Sequence, residues 1–293
     1  MNVTWLPDAR SRPRRVAVGE FDGVHLGHRE VIRGSDTVLT FEPHPRVVVR
    51  PDAAPKLLTS LEVKADLVAS LGVEELVVIP FDREFAARSP GSFIDDVLVG
   101  RLGATRVSVG ENFRFGHKQS GDTDLLAEDD RFETRVVPLV EAGGEVVSSS
   151  HIRGLILAGD VEHAAAFLGD PFQFRGTVVR GDERGRKLGF PTANLVPDDA
   201  LVYPGHGVYA CRANDLAAAV NVGIRPTFES GRGVLIEAYL IDWDGDLYDH
   251  QLRLDFLRRL RGERRFDSVP PLVDQMRRDV EEARKAFATV RRR

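Results

Sequence analysis

The sequence predicts two domains of different fold class: a parallel α/β domain, then a small β-barrel that ends in one long helix. In the first half of the chain, short apolar runs alternate with segments of helical spacing. In the second half, short strand candidates follow one another without intervening helices. Apolar strands alternating with helices are typical of a buried parallel sheet, whereas consecutive strands joined by turns are typical of a barrel or sandwich.

Five apolar runs are the strand candidates of the α/β half. They cover residues 16–19, 37–41, 75–80, 106–110 and 135–140. Thr59 is placed to cap a helix that stops at Gly72. Ser89 and Pro90 are placed to start another helix, which ends near Gly100. These helices supply crossovers between parallel strands.

The barrel half has its own strand and turn pattern. Its strand candidates cover residues 174–179, 208–213, 217–222, 234–241 and 251–256. Turns are predicted at 214–215 and 244–245, and a long final helix is predicted after a cap at Asp267 or Ser268. Residues 150–168 are expected to be helical and to close the first domain. The predicted domains are therefore residues 1–169 and 170–293.

Composition excludes several classes of protein. The formal net charge of -5 does not favour a nucleic-acid partner. Cys211 is the one cysteine, so no intrachain disulfide can form, which fits a reducing compartment. No N-terminal signal pattern is present, and no apolar run reaches the roughly 20 residues of a membrane span. The expectation is a cytoplasmic protein without a membrane partner, with self-association left open.

A glycine-rich segment, GEFDGVHLGH at residues 19–28, follows the first predicted strand and opens a helix. A strand, a glycine-rich turn and a helix N-terminus together form a natural phosphate site. His25 and His28 lie three residues apart, on one face of a first helical turn. They are placed to hold the phosphates of ATP, although such a pair also suits a metal or simple exposure.

This segment resembles the N-terminal module of bacterial bifunctional riboflavin kinase/FMN adenylyltransferases, which carries the HxGH motif of Rossmann-like nucleotidyltransferases. Further similar segments follow in order. They are TFEPHP at 40–45, GENFRFG at 110–116 with Gly121 and Asp122 after it, and SSSHIR at 148–153. Ser150 stands where the family usually has threonine, which keeps the hydroxyl.

The resemblance implies a role for each motif. His25 and His28 would contact the phosphates of ATP as catalytic residues. Further ATP or phosphate contacts would come from Gly19, Phe21, Gly23, Gly27, Ser148, Ser149 and Arg153. The flavin substrate would be bound by His44, Asn112 and Arg114. Because the FMN phosphate is already ionised, adenylyl transfer needs positioning and charge stabilisation rather than a strong base.

One departure from the family concerns the first crossover. Only residues 29–40 separate the HxGH motif from the next strand motif. A helical crossover generally needs at least about 10–12 residues. The sequence therefore predicts a first helix of about two turns. It also leaves open a monofunctional riboflavin kinase with an impaired, abbreviated N-terminal domain.

A second glycine-rich segment lies in the barrel half. Gly176 comes first, and GRKLGFPTAN follows at residues 185–194, with Gly185 and Gly189. Such a loop can wrap phosphate with its backbone amides. Thr192 and Asn194 offer hard oxygen ligands of the kind that Mg²⁺ prefers. By composition alone, a glycine-rich hairpin followed by a Pro-Thr turn fits equally well.

This segment is similar to the PTAN motif of the riboflavin kinase family. Further similar segments lie at 207–210, 221–228, Glu237, 246–248 and 259–261, before Phe266. The resemblance implies ATP and riboflavin as substrates, FMN and FAD as products, and Mg²⁺. The riboflavin 5′-hydroxyl is neutral and needs a base, for which Glu237 is the candidate. An outward-facing strand residue is the alternative for Glu237.

Three hypotheses follow from the sequence. The first is a bifunctional enzyme that phosphorylates riboflavin and adenylylates FMN. The second is the monofunctional kinase, and the third is a non-catalytic flavin- or nucleotide-binding regulator. Thr192, Asn194 and Glu237 count against the regulator, because a binding protein needs no base.

Overall fold

The computed structural model describes residues 1–181, 185, 188–225 and 233–290. By internal contacts the chain forms two compact units, Met1–Ser149 and Ser150–Arg293. Residues 150–168 thus group with the barrel, while the module boundary at 169–170 stays a prediction. The two units are considered one at a time.

The first unit contains a six-stranded parallel sheet with the order β1-β4-β3-β2-β5-β6. Its strands are β1 (Asn2–Trp5), β2 (Arg14–Val18), β3 (Thr37–Glu42), β4 (Glu75–Pro80), β5 (Ala104–Gly110) and β6 (Glu133–Val137). The five predicted strands are confirmed. The sequence analysis missed strand β1. It is a four-residue edge strand that pairs with β4 and is mostly exposed, so it lacks the continuous apolar run of a buried strand.

The strand order defines a topological switch point. From β2 the chain proceeds to β3 and β4 on one side, and to β5 and β6 on the other. Apolar clusters cover both faces of the sheet: Val18 and Ile79 belong to one cluster, Ala17 and Val78 to the other. In such doubly wound sheets, ligands bind outside the carboxyl ends of the strands at the switch point. The crevice expected here lies beyond the ends of β2 and β5.

Helices connect the parallel strands. They are α1 (Leu26–Ile32), α2 (Pro45–Val49), α3 (Leu61–Ser70), α4 (Arg83–Ala86), α5 (Pro90–Ser92), which continues as a π-helix over Phe93–Arg101, and α6 (Thr123–Ala127). With seven residues, α1 makes about two turns, which confirms the abbreviated crossover. Ser89 caps α5 as predicted. Thr59 as the cap of α3 is wrong, because the side chain of Ser60 accepts the Val63 N–H instead.

A two-stranded hairpin completes the first unit, and a helix pair opens the second. The hairpin is β7 (Glu141–Ala142) and β8 (Glu145–Val146), and the helices are α7 (Ser149–Ala158) and α8 (Val161–Leu168). The expected helical segment at 150–168 is thus confirmed but broken. Gly159 has a positive φ of 80°, and the Asp160 side chain caps α8 by accepting the His163 N–H. Gly159 and Asp160 end one helix and start the next.

The second unit is built around a closed antiparallel barrel with the order β10-β13-β12-β11-β14-β9, closed by pairing of β9 with β10. The strands are β9 (Phe172–Val179), β10 (Ala193–Leu195), β11 (Gly207–Ala213), β12 (Leu216–Arg225), β13 (Gly233–Leu240) and β14 (Gln251–Arg261). The missed strand, β10, has only three residues. The predicted turn at 214–215 is confirmed, with Asn214 at a φ of 49°.

The final helix, α9 (Val269–Val290), starts directly after Ser268 with two prolines in its first turn. Ala283 and Ala286 are buried against the outer face of the barrel, in a cluster with Ala210 and Ile241. The predicted apolar stripe is therefore a packing surface. The helix contacts β11, β12 and β14.

Candidate active sites

The HxGH segment forms a tightly held loop beyond the end of β2. Phe21 and Val24 have positive φ values of 50° and 42°, a conformation that is uncommon for residues with a side chain. Both side chains are buried. The resulting contacts hold the strained backbone in place, so the loop is shaped before any ligand arrives.

Hydrogen bonds to a neighbouring segment fix the middle of this loop. Asp22 Oδ1 accepts the backbone N–H groups of Leu58 and Thr59 at 2.8 and 3.1 Å. The Thr59 hydroxyl in turn accepts the Gly23 N–H at 3.2 Å. Thr59 thus anchors the glycine-rich loop, which explains why it does not cap α3.

His25 and His28 form a stacked pair at the start of α1. Their ring centroids are 3.5 Å apart, with an angle of 16° between the planes. His25 Nδ1 accepts the backbone N–H of His28 and caps the helix. At Gly27, a Cβ would lie 3.2 Å from Cε1 of the His25 ring, closer than most such contacts. The glycine between the two histidines therefore leaves room for the His25 ring.

Both histidines are neutral near pH 7 in this environment. Burial lowers the pKa of His25 to about 4. Burial lowers the pKa of His28 well below its usual value, and the charges of His25 and Lys64 lower it further. Because His25 Nδ1 accepts a hydrogen bond, the neutral ring carries its proton on Nε2. The pair therefore presents polar N–H groups rather than two formal charges.

His44, predicted to bind substrate, lies beside the same loop. Its Nε2 is 2.8 Å from Glu20 Oε2, while its Nδ1 accepts the Arg46 N–H and caps α2. Burial favours a higher pKa for Glu20, but the His44 hydrogen bond and the positive charges of Arg46 and Lys64 outweigh it and lower that pKa. The structure thus brings the TFEPHP and HxGH segments together.

The predicted flavin-side loop follows β5, on the other side of the switch point. Asn112 and Arg114 have exposed side chains there. The Arg114 guanidinium lies 2.8 Å from Asp122, whose other carboxylate oxygen caps α6 by accepting the Leu125 N–H. The loop is therefore pinned at Asp122, with Asn112 at the carboxyl end of β5.

Ser148 and Ser149 lie at the start of α7. The Ser149 hydroxyl donates to the backbone oxygen of Asp22 at 2.9 Å, so this segment contacts the HxGH loop. Arg153 lies one turn further along α7. The SSSHIR segment thus begins at the loop, and its two serines stand at a helix N-terminus that favours phosphate.

In the barrel, strand register gathers a carboxylate and two amides. Glu237 on β13 is directly opposite Asn194 on β10 and Asn221 on β12. Asn221 Nδ2 donates to Glu237 Oε2 at 3.2 Å. Ile236 and Ala238 fill the barrel interior, so the Glu237 side chain lies on the outer face, half-buried beside these amides.

The glycine-rich loop of the barrel packs closely over Asn194. At Gly181, a Cβ would lie 2.2 Å from Asn194 Nδ2, so the Asn194 side chain would have to shift. At Gly185, a Cβ would lie 2.4 Å from the Phe190 carbonyl oxygen and 3.3 Å from the Thr192 hydroxyl. These glycines therefore make a cradle around the oxygen-bearing side chains of Thr192 and Asn194.

The other two glycines predicted to bind phosphate differ in kind. Gly189 has a positive φ of 86° and open space around its missing side chain. At Gly176, a Cβ would press against Leu195 and Phe174, so barrel packing accounts for this glycine. Gly189 therefore remains a candidate phosphate-binding residue, whereas packing within the barrel is enough to explain the glycine at position 176.

Thr192 and Asn194 fit the chemistry of a magnesium site. Asn194 is buried, and Thr192 is half-buried. Within the described ranges, no group of three or more His, Cys, Asp or Glu residues could hold a metal ion. The Thr192 hydroxyl and the Asn194 amide oxygen are of the hard type that Mg²⁺ prefers.

Asn221 is a site residue that the sequence analysis did not single out. It belongs to the segment 221–228, whose residues 226–228 lie outside the described residues, as do 186 and 187 of the glycine-rich segment at 185–194. Its contact with Glu237 depends on the register between β12 and β13. The sequence did offer a signal, because Asn221 and Glu237 are each a polar residue within an apolar strand.

A doubly wound unit with an HxGH loop at its switch point, followed by a barrel with a Glu–Asn cluster, defines a two-domain nucleotide-handling transferase. Residues 8–151 match the family model described as FAD synthetase, and residues 168–287 match the model described as riboflavin kinase. The chain belongs to the bifunctional riboflavin kinase/FMN adenylyltransferase family. Both domains are present, which favours the bifunctional hypothesis over the monofunctional and regulatory alternatives.

Relatives match over nearly the full length. The bifunctional riboflavin kinase/FMN adenylyltransferase of Listeria monocytogenes is 36% identical, over 93% of this chain and 92% of the relative. The protein of the same name from Escherichia coli K12 is 37% identical, over 93% of this chain and 92% of the relative. The family match therefore extends over both units of the chain.

A solved structure shares the fold. The crystal structure described as a macrolide-efflux protein from Streptococcus pneumoniae has a TM-score of 0.86 and 30% identity. The match covers 97% of this chain and 99% of that chain.

In the part of the chain that the structure describes, no helix has both the length and the apolar character needed to cross a membrane.

Proposed function

We propose that this chain phosphorylates riboflavin to FMN in the barrel, and adenylylates FMN to FAD in the α/β unit, with ATP in both steps. The observation that supports the proposal is the presence of two different clusters of candidate site residues in one chain. A stacked histidine pair stands at the switch point, and Glu237 faces two asparagines on the barrel.

In adenylyl transfer, an oxygen of the FMN phosphate attacks the α-phosphorus of ATP, and the bond to the β-phosphate breaks to release pyrophosphate. His25 and His28 donate N–H groups to the phosphates as negative charge moves onto the leaving group. The backbone amides at the start of α1 and the hydroxyls of Ser148 and Ser149 would bind the same phosphates. Asn112, Arg114, His44 and Arg153 would hold the flavin substrate and its phosphate.

In the kinase step, Glu237 takes the proton of the riboflavin 5′-hydroxyl as its oxygen bonds to the γ-phosphorus, and ADP leaves. The hydrogen bond from Asn221 holds the carboxylate in one orientation. General-base catalysis by a positioned carboxylate contributes typically about 10²- to 10⁴-fold. Glu237 is therefore the residue on which the kinase rate depends most.

Mg²⁺ would be held by the Thr192 hydroxyl and the Asn194 amide oxygen. When bound, the ion neutralises charge on the phosphates of ATP. The cradle of Gly181 and Gly185 leaves the space around these two side chains. Phosphate contacts from the backbone of Gly189 complete the proposed binding loop.

The remaining expectations follow the same function. We place the enzyme in the cytoplasm, with small-molecule substrates and neither nucleic acid nor membrane as a partner. The net charge of -5 does not favour a nucleic-acid partner. The buried free thiol of Cys211 fits a reducing compartment. We also propose that the functional modules meet at residues 169–170, close to the start of the riboflavin kinase match at residue 168.

Separation of the products tests the proposal. The chain is incubated with riboflavin, ATP and Mg²⁺, and FMN and FAD are resolved by chromatography over time. We expect FMN to appear first and FAD to follow. FMN without FAD would support the monofunctional kinase, and unchanged riboflavin would support the regulator.

A further inference from the structure

A buried lysine holds the start of the HxGH loop. Lys64 on α3 is 6% exposed, although lysine is almost never fully buried unless paired. Its Nζ donates to the backbone oxygen of Glu20 at 2.8 Å and to the Thr40 hydroxyl at 3.3 Å. Thr40 in turn donates to the same Glu20 oxygen at 3.1 Å. The ammonium thus ties α3 and β3 to the first residues of the HxGH loop.

The carboxylates around Lys64 favour its charged form. Burial lowers the pKa of Lys64, whereas the carboxylates of Asp22, Glu42 and Glu20 oppose that shift. These carboxylates and its two oxygen acceptors favour the ammonium form. On its other side, the positive charge of Lys64 acts on His28.

The histidine pair does not supply the positive charge that adenylyl transfer needs, and Lys64 can supply it. Both imidazoles are neutral near pH 7, so they offer N–H groups but no formal charge. Adenylyl transfer moves negative charge onto pyrophosphate, and a fixed positive charge in a water-poor site stabilises that change strongly. Lys64 is a buried cation whose charge reaches His28.

We propose that Lys64 is a positioning residue for adenylyl transfer, which holds the HxGH loop through the Glu20 carbonyl and supplies a fixed positive charge near His28. The inference rests on the proposed function of the α/β unit. Lys64 acts through the loop and His28 rather than by touching substrate. Its loss should therefore lower kcat for FAD formation more than it raises the KM for ATP.

Charge and size can be separated with two variants of the full chain. Lys64→Gln removes the charge and is smaller, while Lys64→Arg keeps the charge and is larger. A packing role would make Arg the worse substitution, because the site is buried. The charge role makes Gln the worse one. Exposed Lys56→Gln is the matched control, and riboflavin phosphorylation in the same chain serves as the internal reference.

Rates of FAD formation from FMN and ATP decide between the roles. We expect Lys64→Gln to lower kcat at least about tenfold, Lys64→Arg to recover part of that loss, and Lys56→Gln to match the unchanged chain. Riboflavin phosphorylation should stay within about twofold in all three variants, because the electrostatic effect is local to the α/β unit.

Three results would overturn the inference. They are an unchanged kcat in Lys64→Gln, a better rate with Gln than with Arg, or loss of amide protection across β2–β4 in Lys64→Gln by hydrogen exchange. The last would assign Lys64 to the stability of the sheet. If the unchanged chain itself makes no FAD from FMN, it is the proposed function that fails, so the two failures are distinguishable.

Discussion

The two candidate sites are held in place by different kinds of structure. In the α/β unit, the histidine pair stands on a loop with strained residues, and side chains from separate segments anchor it. In the barrel, Asn194, Glu237 and Asn221 come from three neighbouring strands, and register alone brings them together. A site made of loops depends on many anchors, whereas a site made by register depends on a regular sheet.

The chemistry of the two steps matches this difference. Adenylyl transfer needs oriented donors and charge, which a shaped loop at helix N-termini supplies. Phosphorylation of a neutral hydroxyl needs a base in one orientation, which a carboxylate with an amide neighbour on a rigid strand supplies. Variants in one site should therefore leave the other step intact.

The largest expected effect is on the barrel site. Glu237→Gln removes the base and keeps the shape, so riboflavin phosphorylation should fall by about a thousandfold. FAD formation from supplied FMN should stay within about twofold, since that step needs no base. Glu281→Gln, at an exposed position on α9, is the control for a lost carboxylate. A Glu237→Gln chain that still phosphorylates riboflavin would remove Glu237 from this role.

The next effect is on the histidine pair. His28→Asn removes one donor of the stacked pair, and FAD formation from FMN should fall by about a hundredfold. Riboflavin phosphorylation should be unchanged in the same preparation. His117→Asn, which alters an exposed histidine, should affect neither rate. If both rates fall together in His28→Asn, the two sites are not independent.

The sequence predicted most of the fold and the residue types of both sites. Continuous apolar runs predicted five of the six parallel strands, because a buried strand is apolar on both faces. Strands β1 and β10 were missed because they have only four and three residues, too few to show a clear pattern. Lys64 was missed for another reason: its helical position is ordinary, and only the tertiary fold places its ammonium against the Glu20 carbonyl and the Thr40 hydroxyl.

The surroundings of Glu237 could be predicted from the sequence only in part. Alternation along β13 leaves its side chain on the outer face, the alternative that the sequence left open. Its contacts across β12 and β10 then decide what it faces. Register of this kind depends on turn geometry as well as on the strands themselves.

Stability of the α/β unit should depend on pH through its histidines. The pKa of His25 is about 4 in the folded chain, against about 6.5 in an unfolded one. The unfolded chain therefore binds more protons below pH 7, and the folded state loses about 2 kcal/mol of stability between pH 7 and pH 5. The stability is present above pH 6.5 and is lost as pH falls towards 4.

Urea unfolding of a Trp243→Phe chain, followed by the fluorescence of Trp5, measures this loss. His25→Asn keeps an oxygen to cap α1 but does not titrate, so its stability should change less with pH. Equal pH slopes in the two chains would show that His25 is not the buried neutral group.

The smallest expected effects come from the two close-packed glycines. Gly27→Ala pushes on the His25 ring, and Gly181→Ala pushes on the Asn194 amide. Each should lower the rate of its own step by about tenfold and leave the other step unchanged. Gly154→Ala is the control, because a Cβ there meets nothing within 4 Å. Equal losses in both steps would point to general destabilisation.

A mixing experiment tests the independence of the two sites most directly. Chains carrying Glu237→Gln or His28→Asn are incubated with riboflavin, ATP and Mg²⁺, separately and then together. Either variant alone should make FAD much more slowly than the mixture, because one forms little FMN and the other adenylylates it slowly. The mixture should make FAD after a lag in which free FMN accumulates. FAD formation in the mixture that is no faster than in either variant alone would contradict two independent sites in one chain.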